Sequence, residues 1–219
     1  MLFSESSNVN DIYERHKIHS FVDGLLPTSN GEEYFEALKN VSKIFTKILK
    51  KYKQISFTID SKKSQGNVNA MMWGLYAHNT NGVCIEIDSE KLPKDKDIFH
   101  SKVKYTDKMP NIDIGEEGQF IDEKYLERFV AKNLKSLFYT KHINWKEEHE
   151  YRLITSMQKS LDISNAVMRV VTYNANSIET KIIESIINNE VPISVLRFAF
   201  FDNGRKLSTC DLAEYRIFY

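Results

Sequence analysis

The stretch NWKEEHEYR, residues 144–152, packs three carboxylates, one arginine and two aromatic side chains into nine residues. An apolar run with the composition of a strand, residues 153–155, follows it at once. Alternate side chains of a strand share one face of the sheet. We therefore expect Glu148, Glu150 and Arg152 on one face and the two residues between them on the other.

Two interpretations of this stretch remain open from the residue types alone. A pair of carboxylates beside an arginine at the start of a strand suits acid/base chemistry or the orientation of a ligand. The same residues suit a surface salt-bridge cluster that ends a helix and begins a strand, because clustered charges usually lie on solvated faces.

Composition narrows the class of protein. The chain has 219 residues, 42% of them hydrophobic and 27% charged, which is ordinary for a globular protein with a substantial core. The 30 basic and 30 acidic residues balance to a net charge of zero. This balance argues against a strongly electrostatic nucleic-acid binder, which usually has a basic excess.

The two cysteines, Cys84 and Cys210, lie far apart and form no disulfide framework or zinc-ligand pattern, so we expect no metal. The chain starts without a basic segment followed by an apolar one, as a signal peptide would have. No apolar run approaches the roughly 18 residues of a membrane span. The default expectation is a cytoplasmic protein with no membrane partner.

The periodicity of apolar residues predicts the order of helices and strands. Helices are predicted at residues 32–53, 70–77, 122–141 and 178–189. Strands are predicted at residues 54–59, 83–88, 103–105, 153–155, 167–173 and 195–201. Because they alternate without a regular βαβ rhythm, we expect a single α+β domain over residues 1–219, with a mixed or antiparallel sheet of about six strands and three main helices.

The two ends of the chain are predicted to be less regular. Residues 1–31 are expected to form an irregular N-terminal segment that begins with a short strand and continues into an Asn/Asp turn. Residues 202–219 are expected to form a C-terminal tail that packs on the sheet, with Gly204 in a turn and an edge strand at 215–219.

Five segments, taken together, resemble the mainly bacterial family called domain of unknown function 2971. They are LFSESSNVNDIYE (2–14), ISFT (55–58), MWGLYAHNTNGVCIEID (72–88), VKYTDKMP (103–110) and KHINWKEEHEYR (141–152). Ile12 stands where the family usually has proline, and Thr80 where it usually has histidine. The family usually has a Tyr-Lys/Arg-Tyr strand before the first segment. We therefore expect that the gene start is short or that this member lacks part of the site.

The resemblance implies a function, because the order of the motifs is similar to that of ADP-ribosyltransferase-like folds. Such folds place an Arg or His on an early strand, a Ser/Thr or Tyr on a middle strand and a Glu on a late strand. The glutamate hydrogen-bonds the nicotinamide ribose of NAD and helps to stabilise an oxocarbenium-like transition state, which requires a fixed, ionised carboxylate. The implied setting is a bacterial toxin or a phage-defence effector.

Carried over to this chain, the resemblance implies Glu150 or Glu148 as the catalytic carboxylate, with Arg152 orienting a carboxylate or binding a phosphate. Further residues are implied to bind the NAD cofactor: Ser56 would line the cleft, Trp73 and Tyr76 would stack on the nicotinamide ring, Lys141 would bind phosphate, and Asn10 and Asp11 complete the set.

Simpler roles stand beside these implied ones. Trp73 and Tyr76, three residues apart, would equally suit the core. Ser56 would be an ordinary strand residue and Asn10 part of a turn. Lys141 would cap the C-terminus of the helix predicted at 122–141.

A different class of function is a binding module. In this alternative the chain binds a nucleotide or a protein partner without catalysis, and the Glu/Arg cluster is a structural ion network. Lysines at 43, 47, 50, 51 and 53 would then contact a partner, although a solvated helix end is the simpler interpretation. An NAD enzyme requires a glutamate to converge with Ser56 and Tyr76 on one cleft, and a binding module does not.

Overall fold

This computed structural model describes residues 1–2, 4–5, 32–61, 65–78, 80–108, 122–186, 191–201 and 204–211. The chain divides into two compact units. The glutamate unit comprises Leu2–Thr58 and Asp95–Leu161, and the cysteine unit comprises Met1, Ile59–Lys94 and Asp162–Tyr219. The single-domain expectation for residues 1–219 stays a prediction.

The α-helices of the described residues are α1 (Glu32–Lys51), α2 (Ala70–Tyr76), α3 (Glu123–Lys132), α4 (Leu134–Phe138) and α5 (Ile178–Ile186). Within the described part of the chain, no helix has the length and apolar character needed to cross a lipid bilayer.

The strands of the described residues are β1 (Ser4–Glu5), β2 (Lys53–Thr58), β3 (Val83–Ile87), β4 (Phe99–Lys102), β5 (Lys104–Thr106), β6 (Thr140–His142), β7 (Glu150–Thr155), β8 (Val167–Thr172), β9 (Ile193–Phe201) and β10 (Gly204–Asp211). These elements confirm the α+β class with mixed and antiparallel sheets.

In the glutamate unit, an antiparallel sheet has the order β1-β2-β7-β4, and β5 pairs with β6 in a short parallel sheet. Ile154 of β7 is fully buried in one cluster with apolar side chains of α1, α3 and α4, including Phe45 and Leu126. Arg152 and Glu150 share a strand face with Ile154, since they are two and four residues away. The helices therefore lie on the same side of the sheet as the charged residues.

In the cysteine unit, a mixed sheet has the order β10-β9-β8-β3, in which only the β8–β9 pair is parallel among the described strands. Trp73 of α2 is buried against Val171 of β8 and Leu196 of β9. The side chain of Asn69 caps α2 by accepting from the backbone N–H groups of residues 71 and 72.

The prediction of a single helix over residues 122–141 is wrong. Helix α3 ends before Asn133, whose side-chain amide and backbone N–H both donate to the carbonyl of Phe129. A short polar side chain that bonds to the backbone favours such an end. After α4 the chain enters β6, so Lys141 lies in a strand instead of at a helix C-terminus.

The expectation for the C-terminal tail needs a correction too. Gly204, predicted in a turn, is the first residue of β10, which pairs with β9 along its whole length. Residues 204–211 are mostly polar or charged, so the alternation of apolar and polar side chains that indicates a strand was not recognisable in the sequence. The predicted edge strand at 215–219 and the predicted Asn/Asp turn lie outside the described residues.

Candidate functional site

The centre of the predicted cluster is a bidentate ion pair within β7. The Nε atom of Arg152 lies 2.5 Å from Oε1 of Glu150, and Nη2 lies 2.8 Å from Oε2. Nη1 of Arg152 also donates to the carbonyl of Phe138 at 2.7 Å. The guanidinium is 1% exposed and Glu150 is 6% exposed. The prediction that these two side chains share a face is confirmed.

Lys141 links this pair to the second glutamate. Its ammonium group lies 2.5 Å from Oε2 of Glu148 and 3.4 Å from Oε2 of Glu150. It also lies 4.9 Å from the centre of the Trp145 ring, within cation–π range. The four charged side chains are all buried and their charges balance, so the interpretation as a surface salt-bridge cluster is wrong.

The backbone explains how both glutamates reach one lysine. Glu148 ends a 3₁₀ helix, Ile143–Glu148, and β7 begins only at Glu150. The intervening His149 has the left-handed conformation, with φ 47° and ψ 49°. Glu148 is therefore not part of the strand, contrary to the sequence prediction. It joins the cluster because the chain reverses at His149, and strand alternation plays no part.

Tyr105 is a site residue that sequence reasoning missed. Its hydroxyl accepts the backbone N–H of Glu150 at 2.9 Å, and it is the register partner of Lys141 across β5 and β6. Burial is the main cause that raises the pKa of the Tyr105 phenol. The N–H bond from Glu150 lowers this pKa, the charges of Glu150 and Glu148 raise it, and the charge of Arg152 lowers it slightly. The phenol therefore stays neutral. Its presence in the VKYTDKMP segment was the available signal.

Glu150 is ionised at neutral pH despite its burial. Burial alone raises its pKa, but the hydrogen bonds and charge of Arg152, the charge of Lys141 and a hydrogen bond from Ser56 lower it more, from 4.5 to about 2. The cluster thus holds a permanently charged carboxylate.

Ser56 connects the buried carboxylate to the neighbouring strand. It is the register partner of Arg152 across β2 and β7, and its side chain hydrogen-bonds Glu150. In contrast to the four charged groups, Ser56 is exposed. The structure therefore brings together Ser56, Lys141, Glu148, Glu150 and Arg152 of the predicted set.

A second tyrosine beside the cluster has an unsatisfied hydroxyl. Tyr139 is 3% exposed, and its Oη has no hydrogen-bond partner among the described residues. Burial raises its pKa, while the charge of Arg152 acts in the opposite direction. Sequence reasoning missed Tyr139, because residue 139 was predicted to lie within a helix.

Two of the other predicted cofactor residues, Trp73 and Tyr76, belong to the cysteine unit. Trp73 is buried, and its indole N–H donates to the carbonyl of Asn67 at 2.8 Å, whereas Tyr76 is 50% exposed. Their stacking role stays a prediction. Asn10 and Asp11 lie outside the described residues.

The donor set of the described residues does not suit a metal ion. No group of three or more His, Cys, Asp or Glu side chains converges there. At the cluster itself, the cations Lys141 and Arg152 already neutralise the carboxylates that would bind a metal ion.

Comparison with known proteins gives one family. The model of a family described as "Protein of unknown function (DUF2971)" matches residues 72–153. This span includes most of α2, all of β3 and every charged member of the cluster, and over it the chain resembles that family. Searches of curated proteins and of solved structures found no match.

Proposed function

We propose that this chain is an NAD-dependent enzyme of the ADP-ribosyltransferase-like class and that Glu150 is its catalytic carboxylate. The proposal includes the setting that the family resemblance implies, a bacterial toxin or phage-defence effector that acts in the cytoplasm.

The observation that carries the proposal is the register of β2 and β7, which places Ser56 opposite Arg152, the residue whose guanidinium binds both carboxylate oxygens of Glu150. The proposed class places an Arg or His on an early strand, a hydroxyl on a middle strand and a glutamate on a late strand. In this chain β2 with Ser56 and β7 with Glu150 are neighbours in one sheet, whereas β1 (Ser4–Glu5) carries neither Arg nor His. This adjacency supports the carry-over of the motif order.

Hydrolysis of NAD requires mainly a fixed negative charge close to ribose C1′. In NAD hydrolysis the bond between the nicotinamide nitrogen and ribose C1′ breaks, its electron pair leaves with neutral nicotinamide, and water bonds to C1′ and releases a proton. An ionised carboxylate stabilises the positive charge that develops on the ribose. With a pKa of about 2, Glu150 meets this requirement throughout the physiological pH range.

The surrounding residues would then have positioning roles. Arg152 and Lys141 keep the carboxylate ionised and fixed, and Tyr105 holds the backbone at the start of β7. Their charges are balanced by the two glutamates, so we assign neither cation to the diphosphate of NAD. Ser56, as the exposed member, would meet the ribose first.

A second candidate is a non-catalytic module that binds a nucleotide or a protein. It is favoured by the bidentate contact, which occupies both carboxylate oxygens of Glu150 with one guanidinium. Buried ion networks of this kind often have a structural role only. Turnover of NAD distinguishes the two candidates.

The test combines calorimetric titration of NAD with an assay of nicotinamide release. The variants are Glu150→Gln and Glu148→Gln, with Glu147→Gln as matched control, since Glu147 belongs to the same stretch but is exposed. We expect release by the wild type, a loss of at least about 100-fold in Glu150→Gln and no loss in Glu147→Gln. Binding of NAD without release of nicotinamide would favour the binding module. The proposal would be excluded if the folded protein neither bound NAD nor released nicotinamide.

A further inference from the structure

The face of the β1-β2-β7-β4 sheet opposite Glu150 and Arg152 carries a second ordered group of side chains. Phe57 of β2 is the register partner of Tyr151 of β7, which is the register partner of Lys102 of β4. His100 completes the group, with its Nδ1 atom 2.6 Å from the Tyr151 hydroxyl and its ring 6.0 Å from the Tyr151 ring. We call these four residues the aromatic row.

The aromatic row is accessible to solvent. Lys102 and His100 are exposed, and Phe57 and Tyr151 are partly exposed. The Cβ atoms of directly opposite residues on antiparallel strands lie about 5 Å apart, so Phe57 and Tyr151 present neighbouring aromatic side chains on this face. The bond to His100 fixes the orientation of the Tyr151 ring.

The aromatic row contains one lysine, Lys102, and no carboxylate. Strand alternation places Lys53, Ile55, Leu153 and Thr155 at the remaining positions of this face on β2 and β7. Ile55, Leu153 and Thr155 are buried, and the register partner of Lys53 is Glu5 of β1. A ligand that fits both the rings and the charge is a planar, anionic molecule.

We propose that the aromatic row binds a free nucleotide. The base stacks on Tyr151 and Phe57, and the phosphate pairs with Lys102, with His100 beside it. Aromatic side chains on a sheet surface stack well on bases because every base has a π-face, and a neighbouring cation supplies the attraction for phosphate.

This inference does not depend on the proposed NAD chemistry. Tyr151 follows Glu150 and Phe57 follows Ser56, so the two groups share strands but occupy opposite faces. Glu150→Gln should therefore leave nucleotide binding unchanged, whatever its effect on nicotinamide release. Failure of the nucleotide-binding proposal can thus be distinguished from failure of the proposed NAD chemistry.

The test is calorimetric titration of AMP and of adenosine into the full chain. We expect Tyr151→Leu to weaken AMP binding about tenfold or more, the typical loss for one stacking ring. Tyr151→Phe, which keeps the ring, should bind AMP within about twofold of the wild type. Lys102→Ala should weaken AMP binding but not adenosine binding, and Lys132→Ala, an exposed lysine on α3, is the matched control.

Three results would overturn the proposal. They are no AMP binding by the folded wild type, unchanged AMP binding in a folded Tyr151→Leu variant, or much tighter binding of a single-stranded oligonucleotide than of AMP at equal salt. The last result would assign the aromatic row to nucleic acid. Thermal unfolding of each variant verifies that a loss of binding does not reflect a loss of fold.

Discussion

Arg152 binds both carboxylate oxygens of Glu150, through Nε at 2.5 Å and Nη2 at 2.8 Å, although only one residue separates them along β7. Both side chains are buried on the helix-covered face of the sheet. The pair is thus part of the core of the glutamate unit as well as the centre of its candidate site, and its disruption should affect stability and activity together.

We expect Arg152→Met to lower the free energy of unfolding by about 3–5 kcal/mol, because it leaves the Glu150 charge buried without its main partner. Urea denaturation measures the change. Lys51→Met is the control, since it removes an exposed, solvent-screened ion pair with Glu127 and should have little effect on the free energy of unfolding. Equal effects of the two substitutions would contradict the buried network.

The stability of the protein should depend on the ionisation of Glu150 at acid pH. Folding lowers its pKa from 4.5 to about 2, so the folded state favours the charged form. This contribution, on the order of 3 kcal/mol, is complete above pH 4.5 and is lost as the pH falls toward 2. The difference in unfolding free energy between wild type and Glu150→Gln should therefore narrow over that range. A difference that is constant from pH 6 to pH 2.5 would show that the pKa is not lowered.

The two tyrosines of the site, Tyr105 and Tyr139, should respond in opposite ways to the loss of their hydroxyl groups. Tyr105→Phe removes the acceptor for the backbone N–H of Glu150 and should cost about 1–3 kcal/mol. Tyr139→Phe removes a hydroxyl with no partner among the described residues and should be neutral or stabilising. Thermal unfolding measures both, and a large cost for Tyr139→Phe would reveal a bond to its hydroxyl.

Two glycines of the cysteine unit, Gly82 and Gly74, should respond in opposite ways to substitution by alanine. A Cβ at Gly82 would lie 3.0 Å from the backbone Cα of Ala77, so Gly82→Ala must shift the loop after α2 and should cost about 1–3 kcal/mol. Gly74 lies within α2 with no atom within 4 Å of its Cβ position, so Gly74→Ala should stabilise by up to about 1 kcal/mol. Urea denaturation distinguishes them, and equal effects would contradict the close approach at Gly82.

Much of this architecture was predictable where local patterns dominate. The apolar periodicity of α1, the alternation in β2 and the apolar run of β3 correspond to elements within a few residues of the predicted bounds, although β3 lies at the edge of its sheet and apolar residues on both faces favoured a central strand. The shared face of Glu150 and Arg152 follows from strand geometry alone. The ends of elements were harder, because a single polar side chain at Asn133 determines where α3 stops.

The membership of Glu148 and Tyr105 in the site could not be predicted from local sequence patterns. Glu148 reaches Lys141 only because His149 adopts a left-handed conformation, which is uncommon for a residue other than glycine. Tyr105 joins the site through the pairing of β5 with β6, which links segments about 36 residues apart along the chain. Strand pairing of this kind cannot be read from either segment alone.

The measurement that tests the central claim most directly is the rate of nicotinamide release from NAD by the wild type, Ser56→Ala and Ser101→Ala. Ser56 and Ser101 flank Arg152 on the two neighbouring strands, and both substitutions are small. Since Ser56 hydrogen-bonds Glu150 and Ser101 donates to the carbonyl of Lys102, we predict release by the wild type, about a tenfold loss in Ser56→Ala and no loss in Ser101→Ala. No release by the folded wild type, or equal rates in the two variants, would contradict the account.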